Sequence, residues 1–155
     1  MNHPKDEHDP SPPVLALDLG QKTVGVAISD ELSITIKRLD PIRRTSWKDL
    51  LKNVSALVER FDAQTLVIGL PLSLDGTRGP AAETAHQFAV NFARSLKIPV
   101  YLQDERLTSK EARTSLREHG YNQTEVDALI DSESAGIILR DFLNSREERL
   151  LVSPD

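Results

Sequence analysis

The sequence predicts an α/β fold: a mixed β-sheet, with a three-strand antiparallel meander plus two parallel strands, and helices on both faces. Three observations predict it. Three β-like runs follow one another across gaps of four residues, and connections this short join antiparallel neighbours. Two later apolar runs alternate with stretches of helical periodicity, the pattern of parallel strands joined by crossovers. A chain of 155 residues has room for one domain with its own core.

The first run, Val14–Leu19, is almost continuously apolar, as for a central strand covered on both faces. Val24–Ser29 follows the turn Gly20-Gln21-Lys22-Thr23. Ile34–Leu39 follows Asp30-Glu31-Leu32-Ser33 and intersperses polar residues, as nearer an edge. Ser46 is placed to cap a helix reaching Phe61, with Leu50, Leu51, Val54, Leu57 and Val58 on one face. Thr65–Gly69 is a short strand, and Leu70–Pro80 a loop broken by Pro71, Asp75-Gly76 and Gly79-Pro80. A second helix spans Ala81–Leu96, its apolar positions stepping by three and four. Pro99–Gln103 is the last expected strand. Thr108 and Glu111 make a capping-box pattern for a helix ending near Gly120. A final helix covers roughly Ser132–Leu143, with an earlier start left open.

These elements define a domain over residues 14–145. Residues 1–13 hold four of the nine prolines and are expected as a disordered acidic tail, and residues 146–155 as a flexible C-terminal tail. Both tails are acidic. With Lys5 set against Asp6, Glu7 and Asp9, and Arg146 and Arg149 against Glu147, Glu148 and Asp155, they account for −3 of the net charge of −5. That balance excludes a protein that coats nucleic acid by bulk charge, but not one that uses metal-neutralised carboxylates on a polyanion. The chain has no cysteine, which excludes disulfides, thiolate zinc and a cysteine nucleophile and fits a reducing, cytoplasmic setting. No apolar run reaches the ~18 residues of a membrane helix.

Three acidic positions fall at the ends of elements. Asp18-Leu19-Gly20 ends the first strand, at the carboxyl edge where open α/β sheets place their sites. Asp104-Glu105-Arg106 follows the last strand. Because side chains alternate across a strand, only one of the two acids is expected to face the site. Asp131 precedes Ser132, Ser134, Ala135 and Gly136, small residues that allow a helix to pack closely on a sheet. Each pattern also has a plainer reading: a hairpin start, helix-dipole charge, and an N-cap. Together they form an all-oxygen set, which suits Mg2+ or Mn2+ rather than zinc. Paired divalent ions support phosphodiester hydrolysis by activating water and stabilising the leaving oxygen. The loop Gly69–Arg78 lies at the same edge. Lys110, Arg113 and Arg117 share a helix face, and Arg43, Arg44, Lys48 and Lys52 form a second basic cluster. Each basic group is equally readable as a solvated face. Aromatic residues make up only 5%, so stacking platforms for bases are not evident.

Four motifs in order resemble those of the YqgF family, nucleases described as acting on precursor 16S rRNA and as Holliday-junction-resolvase-like. They are Leu17-Asp18-Leu19-Gly20 with Lys22 and Gly25-Val26-Ala27; Val67-Ile68-Gly69-Leu70-Pro71 with Asp75-Gly76-Thr77; Asp104-Glu105-Arg106-Leu107-Thr108 with Glu111-Ala112; and Asp131-Ser132 with Ser134-Ala135. The resemblance covers Val14–Leu143. It implies a ribonuclease-H-like fold and a divalent-metal-dependent nuclease, with Asp18, Glu105 and Asp131 as catalytic, metal-binding carboxylates. Lys22, Arg78, Arg106 and Lys110 are candidates for phosphate contacts. The implied substrate is precursor rRNA or a ribosomal particle, in 5′-end maturation of 16S rRNA. The alternatives are a resolvase acting on branched, four-way DNA, which requires a homodimer rather than a monomer, and a nucleic-acid-binding scaffold without catalysis. Glu133, between the small residues of the last motif, and the extension before Val14 depart from the family pattern.

Overall fold

The computed structural model describes residues 10–72, 77–105, 114, 117–120, 122–144 and 149–154, the side chains of 123–133 excepted. Its elements are β1 (Val14–Leu19), β2 (Thr23–Ser29), β3 (Ile36–Arg43), α1 (Trp47–Phe61), β4 (Thr65–Leu70), α2 (Pro80–Ser95), β5 (Val100–Asp104), α3 (Gln123–Asn144) and β6 (Arg149–Leu151). They build one six-stranded sheet in the order β3-β2-β1-β4-β5-β6. The β1–β2 and β2–β3 pairs are antiparallel, as the short gaps require. β1–β4 and β4–β5 are parallel, so β1, β4 and β5 all end at the same edge.

Alternation along these strands sends two apolar sets to opposite faces. Leu15, Leu17, Val26, Leu66, Ile68 and Leu102 pack with Leu50 and Val54 of α1 and Ala85, Ala89 and Phe92 of α2. The Trp47 ring seals that layer, 5.6 Å from the Phe88 ring and 4.8 Å from Phe92. Val14, Ala16, Ala27, Val67 and Tyr101 meet Ala135, Ile138, Leu139 and Phe142 of α3 on the other face. Small side chains at Ser134 and Ala135, both fully buried, bring α3 close to the strands. Ser46 caps α1 as its sequence suggests, its hydroxyl accepting from the Asp49 amide at 3.1 Å. Helix α2 starts on Pro80, where the missing N–H costs nothing.

Several boundaries differ from expectation. β3 begins later and runs through Pro41 to Arg43. A register shift between Val24 and Val26 sets Asp40 and Pro41 opposite Gly25, and a bulge on an edge strand needs no donor from proline. Ile34 and Thr35 instead donate their amides to the Asp30 carboxylate in the preceding turn, at 2.7 and 3.1 Å. α3 starts well before Ser132. The capping-box pair Thr108 and Glu111 lies outside the described residues; Thr114, Arg117 and Glu118 are helical, and Gly120 turns the chain with φ at 88°.

Both tails need correcting. The stretch expected as a flexible C-terminal tail contains β6, antiparallel to β5. The Val152 amide donates to Val100 at 2.8 Å and its side chain is buried. Arg149 donates to the Phe142 carbonyl at 2.8 Å with its guanidinium 4.7 Å from the Phe142 ring centre. An unpaired β5 edge and an uncovered apolar rim explain why these residues order. At the other end, the Ser11 and Pro13 carbonyls accept from Thr65 Oγ1 and the Gln64 amide at 2.8 and 2.9 Å. The end of the segment expected as disordered is therefore docked at the start of β4; residues 1–9 lie outside the described residues.

Deleting residues 149–155 removes the burial of Val152 and the β5–β6 hydrogen bonds, about 3 kcal/mol in all. Thermal unfolding is expected to shift down by about 6–12 °C, whereas a flexible tail could be removed without a shift.

Candidate active site

Asp18 sits at the carboxyl end of β1. Continuing the alternation of Val14 and Ala16 places it on the α3 face. Gly69 on β4 lies one step beyond the Leu17–Ile68 pair, and Gln103 on β5 is in register with Gly69. Asp18, Gly69 and Gln103 thus lie side by side across three strands, facing α3. Gln103 and Ser134 are fully buried there, and among the described residues the Ser134 hydroxyl has no hydrogen-bond partner.

Glu105 follows β5 and is tied to β4 by its amide, which donates to the Leu70 carbonyl at 3.1 Å. Its side chain folds back over Gly69. A Cβ on Gly69 would stand 2.7 Å from Glu105 Cδ, 2.8 Å from Oε2 and 2.5 Å from Ile138 Cδ1. The space that glycine leaves open is therefore filled by the glutamate carboxyl and by α3. The residue is partly exposed as a whole, but Oε2 is closed to solvent and has no partner among the described residues. Burial pushes the Glu105 carboxyl well above the ordinary glutamate value, and the charges of Asp18 and then Asp104 push it further. Asp18 and Glu105 therefore meet at one place. Asp104 belongs to the opposite face of β5 by alternation, as expected of adjacent acids.

The other expected residues fall as follows. Asp131 lies in α3, one turn before the sheet-facing Ser134; its side chain is outside the described set. Lys22 is exposed in the β1–β2 turn, and Arg78 is exposed where a bridge to Leu72 closes the loop after β4. Arg106 and Lys110 lie outside the described residues. Among the described residues no group of three or more acidic or histidine side chains is gathered to hold an ion. Asp18 and Glu105 nevertheless fit a hard divalent cation: both are oxygen donors, and a desolvated Oε2 without a partner calls for a positive charge.

Sequence reading missed Gly69 as the berth of Glu105. The available signal was a glycine at the end of a buried central strand, a usual mark of close approach. It also missed Arg44, which braces the turn after Asp18. Its Nη1 donates to the Gly20 carbonyl at 2.6 Å, its amide to the Lys22 carbonyl at 2.9 Å, and its guanidinium lies 5.2 Å from the Phe88 ring centre.

A mixed sheet in this order, covered by helices on both faces and with paired acids where its parallel strands end, defines a ribonuclease-H-like domain. The same fold is found in T. thermophilus RuvC in complex with a Holliday junction substrate. That structure superposes with a TM-score of 0.55 over 89% of this chain and 98% of that one, at 14% identity. A family model described as "RuvX: Holliday junction resolvase" matches residues 13–145, and the chain belongs to this family, also known as YqgF. Relatives named "Putative pre-16S rRNA nuclease" include one from Anaeromyxobacter sp. (strain Fw109-5), 37% identical over 85% of this chain and 96% of its own length. Another, from Syntrophus aciditrophicus (strain SB), is 36% identical over 90% and 93%. The protein is accordingly a nuclease, a hydrolase acting on nucleic acid with the divalent-metal dependence general to its family. Among the described residues no helix is long and apolar enough to cross a membrane.

Two outcomes are expected of this geometry. Without metal, the raised Glu105 value means that the folded state holds a proton the unfolded chain releases near 4.5. Stability is thus fully present below that pH and is lost as pH rises through the folded value. Glu105→Gln should be flat across that window and more stable than wild type at neutral pH in a chelator, by thermal unfolding; added Mg2+ should narrow the gap by stabilising wild type alone. Gly69→Ala should cost about 1–3 kcal/mol of stability by overpacking. Because the new methyl meets the far ends of Ile138 and Glu105, it should also weaken metal-dependent activity far more than that loss explains. Equal Mg2+ dependence of thermal stability in the variant and wild type would count against the berth.

Proposed function

We propose that the protein hydrolyses a phosphodiester bond in the 5′ region of precursor 16S rRNA, using Mg2+ or Mn2+ held by Asp18, Glu105 and Asp131, in the cytoplasm during ribosome maturation. The observation that carries this reading is the desolvated Glu105 carboxyl, set beside Asp18 at the carboxyl ends of parallel strands. The names of the curated relatives supply the substrate.

Asp18 and Glu105 reach the edge from different strands and offer oxygen donors with no competing nitrogen or sulfur. When bound, divalent ions supply the activation of water and the stabilisation of the leaving oxygen. The protein's own part is positional. The berth at Gly69 fixes the Glu105 carboxyl and excludes water from Oε2, so that its charge is strongly favoured only against a cation. Lys22 stands exposed in the braced β1–β2 turn that follows Asp18, and Arg78 stands on the loop after β4. Both are long, exposed cations suited to phosphate oxygens on either side of the cut. Arg106 and Lys110 complete the proposed phosphate contacts. One such site suffices for a single cut, so a monomer can act on RNA.

The description of the family as a resolvase favours a second reading, cleavage of four-way DNA by a symmetric homodimer with two sites. One assay separates the two: a precursor 16S rRNA 5′-end fragment beside a synthetic four-way junction, with and without Mg2+ or Mn2+. RNA cleavage that needs metal and falls to the detection limit in Asp18→Asn, with thermal stability kept, is expected. Cleavage of the junction alone transfers the assignment to the resolvase. Undiminished cleavage in Asp18→Asn overturns the site.

A further inference from the structure

A groove of about 480 Å3 lies between the end of β3 and the first turns of α1. Arg43 forms part of its β3 wall, and Thr45, Asp49, Lys52 and Asn53 line the other side. Asp49, Lys52 and Asn53 are spaced to share one face of α1, and Thr45 precedes its cap Ser46. The groove adjoins the catalytic edge through covalent and hydrogen-bonded links. Arg43 is in register with Thr23, the first residue of β2. The next residue, Arg44, is bonded to the carbonyls of Gly20 and Lys22, two and four positions beyond Asp18. The groove therefore starts where the turn after Asp18 ends, with Lys22 at the junction.

Its charge is opposite to that of the protein. Arg43 and Lys52 line it and are exposed, and Lys48, exposed but outside the lining, stands one helical turn before Lys52. Among the described residues no ion pair or hydrogen bond engages these three side chains. The single carboxylate, Asp49, is occupied with the helix start: Thr45 Oγ1 donates to its Oδ2 at 2.8 Å, and its amide donates to Ser46 Oγ. Two lining cations with Lys48 beside them, set against one carboxylate on a chain of net charge −5, make a locally positive field for a polyanion. Asn53 adds a neutral donor. The groove's lining includes no aromatic residue, so the chemistry it offers is to phosphate and ribose oxygens rather than to bases.

We propose that this groove carries the sugar–phosphate backbone of one RNA strand away from the cut site, as a sequence-neutral track beyond Lys22. The assignment rests on the RNA-nuclease reading above. It makes the net-negative chain a strand binder along one line rather than over its whole surface.

The test is the affinity of the full chain for a labelled single-stranded precursor-rRNA fragment across a series of salt concentrations, with metal chelated so that nothing is cut. The double variant Arg43→Gln/Lys52→Gln is compared with Lys37→Gln/Lys97→Gln, which removes the same charge from exposed positions near the opposite edge of the sheet. All four residues are exposed, and thermal unfolding checks that both variants fold. The groove pair should raise Kd several-fold and flatten the slope of log K against log salt by about 1.4, at about 0.7 per single-strand phosphate released. The control pair should change both by less than half as much. Equal effects of the two pairs, absence of RNA binding by wild type, or a groove effect confined to duplex DNA would each overturn the track. A groove-dependent binder that never cleaves RNA would support the track and overturn the catalytic reading, so the two fail separately.

Discussion

The three parallel strands β1, β4 and β5 are apolar on both faces, and that single constraint organises the molecule. Neither face can meet water, so α1 and α2 must cover one and α3 the other. Once both faces are closed, the strand ends are the places where a polar group can leave the layer. Asp18 and Glu105 arise there. The same closure explains why Glu105 is so perturbed: its carboxyl lies against the sheet and α3, where Gly69 and Ile138 shape the space, beside another acid. An apolar fold has thus been made to hold negative charge at one point on its rim, a condition that bound cations relieve.

How much of this could be read from the sequence follows from the range of the interactions involved. Strands β1, β2, β4 and β5 and helices α1 and α2 were legible to within a residue or two, because their signals are local: apolar runs, helical spacing, Ser46 as a cap, Pro80 as a start. The end of β3 was not, because Pro41 reads as a breaker until a bulge opposite Gly25 accommodates it. β6 was hidden by the charged residues before it; Leu150, Leu151 and Val152 form a strand only because β5 has an edge to offer. Asp18 could be singled out from its position at a strand end; the choice of Glu105 over Asp104 came from the family resemblance. The berth at Gly69 could not be singled out, since it depends on three segments far apart in sequence meeting at one point.

Arg44 illustrates how scaffold and site are joined. In sequence it is one of several basic residues of uncertain value. In the fold it is bonded to two carbonyls of the turn after Asp18 and stacked over Phe88 of α2. It therefore fastens the rim of the site to the helical layer behind it. Among the described residues its neighbours Arg43, Lys48 and Lys52 make no such bond, which separates the cation that builds the edge from those around it.

The pairing of β5 with β6 has a consequence for synthesis. The strand leading into Asp104 and Glu105 gains its inner neighbour, β4, from residues made earlier, but its outer neighbour comes from the final stretch of the chain. While those residues are still within a translating ribosome, β5 is a bare edge and Val152 has not reached its buried position. The rim is thus framed in order of translation, from β1 outward, and its last support is made after the residues it supports. A change in residues 149–152 would therefore act on the strand beside Glu105.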